Sequence, residues 1–192
     1  MSTQAKTFYA PVEYLELERK AEYKSEYCNG EIFAMSGAGR NHDAIAMRLY
    51  GIVDQHLRGK KCRAHSADMR VLVAQGGLYT YPDLSATCEE AQYADSGADT
   101  LLNPTLVVEI LSPSTEGYDR GKKARLYRDM PSLKELLLIA QDGYEVELHR
   151  RQPDGAWTIN NAVGLDGSIE LTSIGCTLRL GELYENVVTP GE

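Results

Sequence analysis

Three residues have types and settings that chemistry can use. Glu109 lies inside the apolar run Leu106, Val107, Val108, Ile110 and Leu111, which predicts a buried strand over residues 105–111. A carboxylate in such a run costs several kcal/mol unless a positive group compensates it. Asp83 follows Pro82 in the β-rich stretch "LYTYPDLSAT". Two acids on neighbouring strands repel each other, and a divalent cation between them reverses that. Mg²⁺ takes hard oxygen ligands, usually only one or two carboxylates, and keeps water for the rest. The main-chain carbonyl of Ile110 is the natural third oxygen. The third residue is Lys123, in "DRGKKARLYRDM". Helical spacing puts it on one face with Leu126, Tyr127 and Met130, and puts Lys122 with Arg125 and Asp129. Lys123 is therefore expected to point inward and Lys122 to face solvent.

Each of these residues also has a plainer reading. An acid at a strand end caps loops or pairs with arginine, and a buried glutamate can be half of a structural ion pair. An inward lysine can lie along the core edge with its amine in water. Asp83, Glu109 and Lys123 taken together favour the metal site.

Around these residues the chain divides into short elements. "APVEYLELERKAEY" reads as a first helix with Pro11 in its opening turn. "SEYCNGEIFAMSG" alternates around Asn29-Gly30, the strongest short hairpin signal. In "NHDAIAMRLYGIVDQHLRGK", Ile45, Leu49, Ile52, Val53 and Leu57 give a long helix, with Gly59 as its stop. "CRAHSADMRVLVA", the turn "QGG" and "LYTYPDLSAT" read as a strand pair, and "EEAQYADSGADT" as a loop. After residues 105–111, helix is expected from about Asp119, with Asp119 as its cap. "KELLLIAQ", "YEVELHRRQ", "AWTINNAV" and "SIELTSIGCTLRL" read as strands, and "GELYENV" as a short closing helix. The expected fold is a mixed sheet with helices packed on it, in one domain spanning residues 1–192.

Composition sets outer bounds. The 192 residues suffice for one sizeable core, and 43% hydrophobic with 25% charged residues is ordinary for a globular chain. No apolar run approaches a membrane span, and the first residues lack the apolar stretch of a signal peptide, so a cytoplasmic protein without membrane contact is expected. Cys28, Cys62, Cys88 and Cys176 form no CxxC pair, which argues against zinc and for free thiols or small core residues. The formal charge of −8 argues against a general, tight polyanion binder.

The ordered set "YPDLSAT", "VVEILSPST" and "YDRGKKARLY" resembles the PD-(D/E)xK nuclease superfamily. More narrowly, it resembles the bacterial "putative restriction endonuclease" family, long described as a domain of unknown function. "SEYCNGEIFAMSGAGRNHDAI" and "KELLLIAQDGYEVELHRR" extend that resemblance over most of the chain. The resemblance implies a restriction-endonuclease-like α/β core and a Mg²⁺-dependent endonuclease acting on DNA, with Mn²⁺ as substitute. Asp83 matches the motif aspartate and Glu109 the acid of the following strand. The superfamily's lysine normally stands two residues after that acid, where this chain has Leu111; Lys123 matches the narrower family's lysine on the next helix. Glu31 and His42 match further positions of the N-terminal signature and are additional catalytic candidates. Glu31 also reads as a solvent-facing hairpin charge, and His42 as an aid to helix capping. A homodimer is compatible with cutting both strands. Two other readings stay open: a catalytically inactive domain that binds nucleic acid or protein through the same cleft, and a metal-dependent hydrolase of small phosphoesters.

Overall fold

The computed structural model describes residues 7–35, 37–74 and 77–188. Helix α1 (Pro11–Glu18) opens with Pro11, and the Ala10 N–H donates to Glu13 Oε2 at 2.6 Å. The hairpin β1 (Ser25–Cys28) and β2 (Glu31–Ala34) turns at Asn29 and Gly30, both at positive φ, as its sequence requires. Helix α2 (Arg40–Leu57) buries Ile45, Leu49, Val53 and Leu57 along one stripe, and Gly59 follows it at φ +74°.

The next segment departs from the expected strand pair. It forms four strands: β3 (Arg63–Ser66), β4 (Arg70–Ala74), β5 (Leu78–Thr80) and β6 (Leu84–Thr87). β4 pairs with β5 in one sheet, and β3 with β6 in another. A tight turn at Ser66–Met69 and the break at Pro82 let the chain step between the sheets and back. Of the "QGG" turn, Gln75 and Gly76 lie outside the described residues.

After a loop come β7 (Thr100–Leu101) and β8 (Leu106–Leu111), then a helical crossover: α3 (Glu116–Tyr118), a π-helical turn (Asp119–Lys123) and α4 (Ala124–Arg128). The helix thus begins one turn before Asp119. The Ser112 carbonyl accepts from the Glu116 N–H at 2.8 Å, and the Thr115 carbonyl from the Asp119 N–H at 2.9 Å, so Asp119 lies inside the helix and does not cap it. β9 (Glu135–Ala140), β10 (Glu145–Arg151), β11 (Trp157–Val163), β12 (Ser168–Leu171), β13 (Cys176–Arg179) and α5 (Leu180–Leu183) complete the chain.

The fold is α/β, with mixed sheets flanked by helices. A six-stranded sheet runs β11-β10-β9-β8-β6-β3, a five-stranded sheet β2-β1-β5-β4-β7, and β12 pairs with β13. β8 and β9 are parallel, which demands the crossover that α3 and α4 supply. All six residues of β8 are buried, and alternate ones serve different layers. Leu106, Val108 and Ile110 pack with α2, whereas Val107 and Leu111 pack with α4 and the five-stranded sheet. Glu109 shares the second face.

Cys62 and Cys88 form a disulfide, which corrects the expectation of free thiols for this pair. The β3–β6 register pairs Arg63 with Thr87, so one step further sets the two cysteines side by side. That pairing across 26 residues is invisible in their spacing. Cys28 and Cys176 are free and buried.

A second buried acid staples the far end of the molecule. Glu135, wholly buried, accepts from Arg150 Nε at 2.7 Å and from the Thr172 and Ser173 backbone and hydroxyl groups at 2.5–3.1 Å. Glu135→Ala leaves these donors unpaired, and urea unfolding should show a loss of about 3 kcal/mol. A loss below about 0.5 kcal/mol, the level of an ordinary surface change, would contradict this role.

Candidate active site

β6 and β8 run antiparallel, with Leu84 opposite Val108, so the register carried one step further sets Asp83 opposite Glu109. Both side chains line one cleft of about 1010 Å³. The next step sets Pro82 opposite Ile110. Proline has no N–H, so the ladder offers no donor to the Ile110 carbonyl from that position. The Ile110 N–H instead donates to Asp83 Oδ2 at 2.7 Å. A residue's N–H and C=O point to the same side of a strand, so the Ile110 carbonyl faces the Asp83 side. Proline followed by aspartate thus ends the ladder and leaves oxygens at its end.

Lys123 reaches this place because the crossover returns along the face of the sheet that carries Glu109. Its side chain is 6% exposed, and its Nζ lies 2.7 Å from Glu26 Oε1, 3.0 Å from Glu109 Oε1 and 3.6 Å from Asp119 Oδ1. The π turn brings Asp119 and Lys123 to the interior together. Tyr127, one helical turn on, donates to Glu109 Oε1 at 2.5 Å. His42, from the first turn of α2, holds Asp83 Oδ1 through Nε2 at 3.1 Å, and its Nδ1 is buried without a hydrogen-bond partner. Lys122 is exposed at the rim, where its Nζ is 3.2 Å from Cys28 Sγ.

Four carboxyls therefore surround one ammonium and one imidazole, and protonation reflects this. Burial pushes the Glu109 carboxyl up to about 8 against the pull of Lys123, and Asp83 and Asp119 push the same way. Burial likewise raises Asp119. Burial works against the Lys123 ammonium, but Glu109, Tyr127, Glu26 and Asp119 outweigh it and hold its pKa high. The hydrogen bond to Asp83 raises His42.

The expected residues fare differently. Asp83, Glu109, Lys123 and His42 line the same cleft, as does Ile110. Glu31 does not: it stands opposite Cys28 in the hairpin, half-buried and outside the cleft lining. The acid that this hairpin delivers is Glu26, which also accepts a hydrogen bond from Thr80 Oγ1. Period-2 alternation sets Glu26 on one face with Cys28, but only the docking of the hairpin onto β5 turns that face inward. Asp119 lies beside Lys123 and does not cap the helix, because the helix starts one turn earlier than its sequence suggests. Asp68, in the turn between β3 and β4, pairs with Lys24.

The donor set suits a hard cation. Among the described residues no three His, Cys, Asp or Glu side chains are placed to hold a metal together. Two carboxylates and a carbonyl are instead the partial set that Mg²⁺ uses when it keeps water. Tyr127 and Lys123 both contact Oε1 of Glu109.

A mixed sheet carrying a buried acid–lysine cluster beside a helical crossover defines a domain of the restriction-endonuclease-like class. A crystal structure described as a "putative nuclease belonging to DUF820", from Anabaena variabilis, superposes with TM-score 0.76 over 94% of this chain and 99% of that one. At 21% identity this likeness shows the shared fold. Residues 11–180 match the Uma2 family, "Putative restriction endonuclease", and the chain belongs to that family. Two proteins of Synechocystis are similar over most of their lengths. Slr1290 is 38% identical over 178 residues, 93% of this chain and 92% of its own. Sll1609 is 34% identical over 160 residues, 83% and 90% respectively. Both are called uncharacterized. Among the described residues no helix is long and apolar enough to cross a membrane.

The Glu109 carboxyl binds a proton more tightly in the folded than in the unfolded chain. Metal-free stability should therefore fall as pH rises from about 5 to about 8, because the unfolded state has already lost that proton. Asp119 and His42 contribute with the same sign, since stabilisation from a raised histidine is lost as pH climbs through its folded pKa. Urea titrations in EDTA should show this slope in the native sequence and a shallower one in Glu109→Gln. Equal slopes in both proteins would remove Glu109 as its main source.

Proposed function

We propose that this domain is an endonuclease that hydrolyses phosphodiester bonds of DNA with Mg²⁺, or Mn²⁺ in its place. The observation that carries the reading is the buried cluster at the end of β6 and β8, where Glu26, Glu109 and Asp119 meet Lys123 and Asp83 meets His42. A domain that only bound a partner would gain nothing from a desolvated acid held up near pH 8. Asp83, Glu109 and the carbonyl of Ile110 would hold the ion. When bound, it would polarise the scissile phosphate and lower the pKa of a coordinated water.

The chain's own groups have separate tasks. The Ile110 N–H and His42 Nε2 fix both oxygens of Asp83, so the carboxylate is oriented before substrate arrives. Tyr127 and Lys123 fix Glu109 in the same way. Lys123 carries the charge that matters as the phosphate changes. In hydrolysis a water oxygen bonds to phosphorus, the P–O bond to the leaving sugar oxygen breaks, and that oxygen takes up a proton. Negative charge grows on the phosphoryl oxygens meanwhile, and a preorganised ammonium stabilises it most at that stage. Glu26 and Asp119 keep the ammonium charged and aimed.

The test uses purified protein, plasmid and short oligonucleotide substrates. Cleavage should require Mg²⁺ or Mn²⁺, and Ca²⁺ should bind without turnover. Asp83→Ala and Glu109→Ala should fall to background with the fold retained by circular dichroism. Lys123→Met should cleave about 10²-fold more slowly, the scale of losing one charge-stabilising donor. Its affinity for Mn²⁺ by calorimetry should be undiminished, since a positive neighbour has been removed. If the native protein binds no divalent ion, or the Asp83 and Glu109 variants cut as fast as it does, the nuclease reading fails.

A further inference from the structure

We propose that the cleft takes unpaired nucleotides, stacking their bases on Phe33 and Tyr23, and that a regular duplex is a poor ligand. The inference rests on the nuclease reading for its chemistry but on different residues for its binding.

The hairpin β1–β2 forms one wall of the cleft. Glu26 lies directly opposite Phe33 in its register, so both side chains leave the same face. Glu26 ends in the acid–lysine cluster on the floor. Phe33 therefore stands above that floor, and its side lines the same cleft. It is 50% exposed; Tyr23 and Met35, on the lining of the same cleft, are 69% and 36% exposed. Lone exposed apolar residues need no explanation, but three that line one cleft with an ionised floor give that cleft an apolar lip. An aromatic lip beside an acidic floor suits a ligand with a flat apolar face and a phosphate. Nucleobases offer that face to any aromatic ring regardless of sequence.

Charge selects between paired and unpaired nucleic acid. Tracking a duplex backbone needs many phosphate contacts from exposed lysines or arginines. Among the described residues the cleft lining offers two lysines outside the buried cluster. Lys122 is exposed, and Lys24 is already tied to Asp68 and to the Ala67 carbonyl. Against them stand Glu22 on the same lining, the excess of carboxyls over Lys123 in the buried cluster, and a chain of net charge −8. With so few phosphates neutralised, affinity has to come from stacking. The volume, about 1010 Å³, lies at the upper end of the ~300–1,000 Å³ of ligand-sized sites, room for a few nucleotides.

Fluorescence anisotropy with a short labelled oligothymidylate, and the same strand annealed to its complement, tests this in Ca²⁺ buffer. The single strand should bind at least about ten-fold tighter than the duplex, and Phe33→Ala and Tyr23→Ala should each weaken it about ten-fold. Phe33→Trp should restore binding, because the stacking face returns. The salt slope should be no steeper than about −1.5, set by two lysines at about 0.7 each. Equal or tighter duplex binding, undiminished binding by both alanine variants, or no binding of either ligand overturns the proposal. So does the loss of self-association in Phe33→Ala without a change in DNA binding, which would assign the lip to a second copy. Ring-dependent single-strand binding without cleavage in Mg²⁺ would sink the nuclease reading and leave this one standing. Cleavage of duplex with indifference to Phe33 and Tyr23 would do the reverse.

Discussion

The ammonium of Lys123 is the group on which the site depends. It is buried, and Glu26, Glu109 and Asp119 converge on it from a hairpin, a central strand and its own helix. Without that charge, three desolvated carboxyls would repel one another in the interior, each at a cost of several kcal/mol. With it, the three elements have one electrostatic meeting point. The same interaction fixes the phase of the crossover helix, since Lys123 and Tyr127 must both reach Glu109. The cluster nevertheless keeps an excess of carboxyl groups: burial holds Glu109 near 8 against the pull of Lys123, and Asp83 and Asp119 add to the rise. A protein core does not retain such an excess for stability alone, because apolar residues of similar shape would serve at least as well.

The backbone completes the arrangement. Pro82 ends one side of the β6–β8 ladder, and the following Asp83 supplies an acceptor for the amide that the ladder abandons. A two-residue sequence thus performs two tasks: it stops a strand and it places a carboxylate in the cleft. His42 supports that carboxylate from α2, on the opposite layer of the sheet from the crossover. The site consequently draws on both helical layers and on both large sheets, and its geometry cannot relax locally without disturbing one of them.

Much of this was legible in the residues themselves. A carboxylate inside "LVVEIL" violates the burial rule so strongly that Glu109 had to be compensated, whatever the fold. Helical spacing alone put Lys123 inside and Lys122 outside, and burial in the structure has that order. Asn29-Gly30 specified its hairpin because both residues tolerate positive φ. Alternation, helical periodicity and turn chemistry are local properties, each set within a few residues.

What the tertiary structure decided is who meets whom across long separations. The segment from residue 63 to 87 looks like a strand pair in sequence, yet its strands belong to two sheets, because pairing partners are chosen by packing and not by proximity. The Cys62–Cys88 bond follows from that choice. Glu26 and Glu31 are equally plausible acids on one hairpin, and only the docking of β1 against β5 sent Glu26 to the lysine. The sequence by itself determined that Glu109 needed a compensating charge and that Lys123 faced the interior. Which further carboxyls joined them was decided by the assembly of the sheets, since a side chain's electrostatic partners are set by distances that no local pattern encodes.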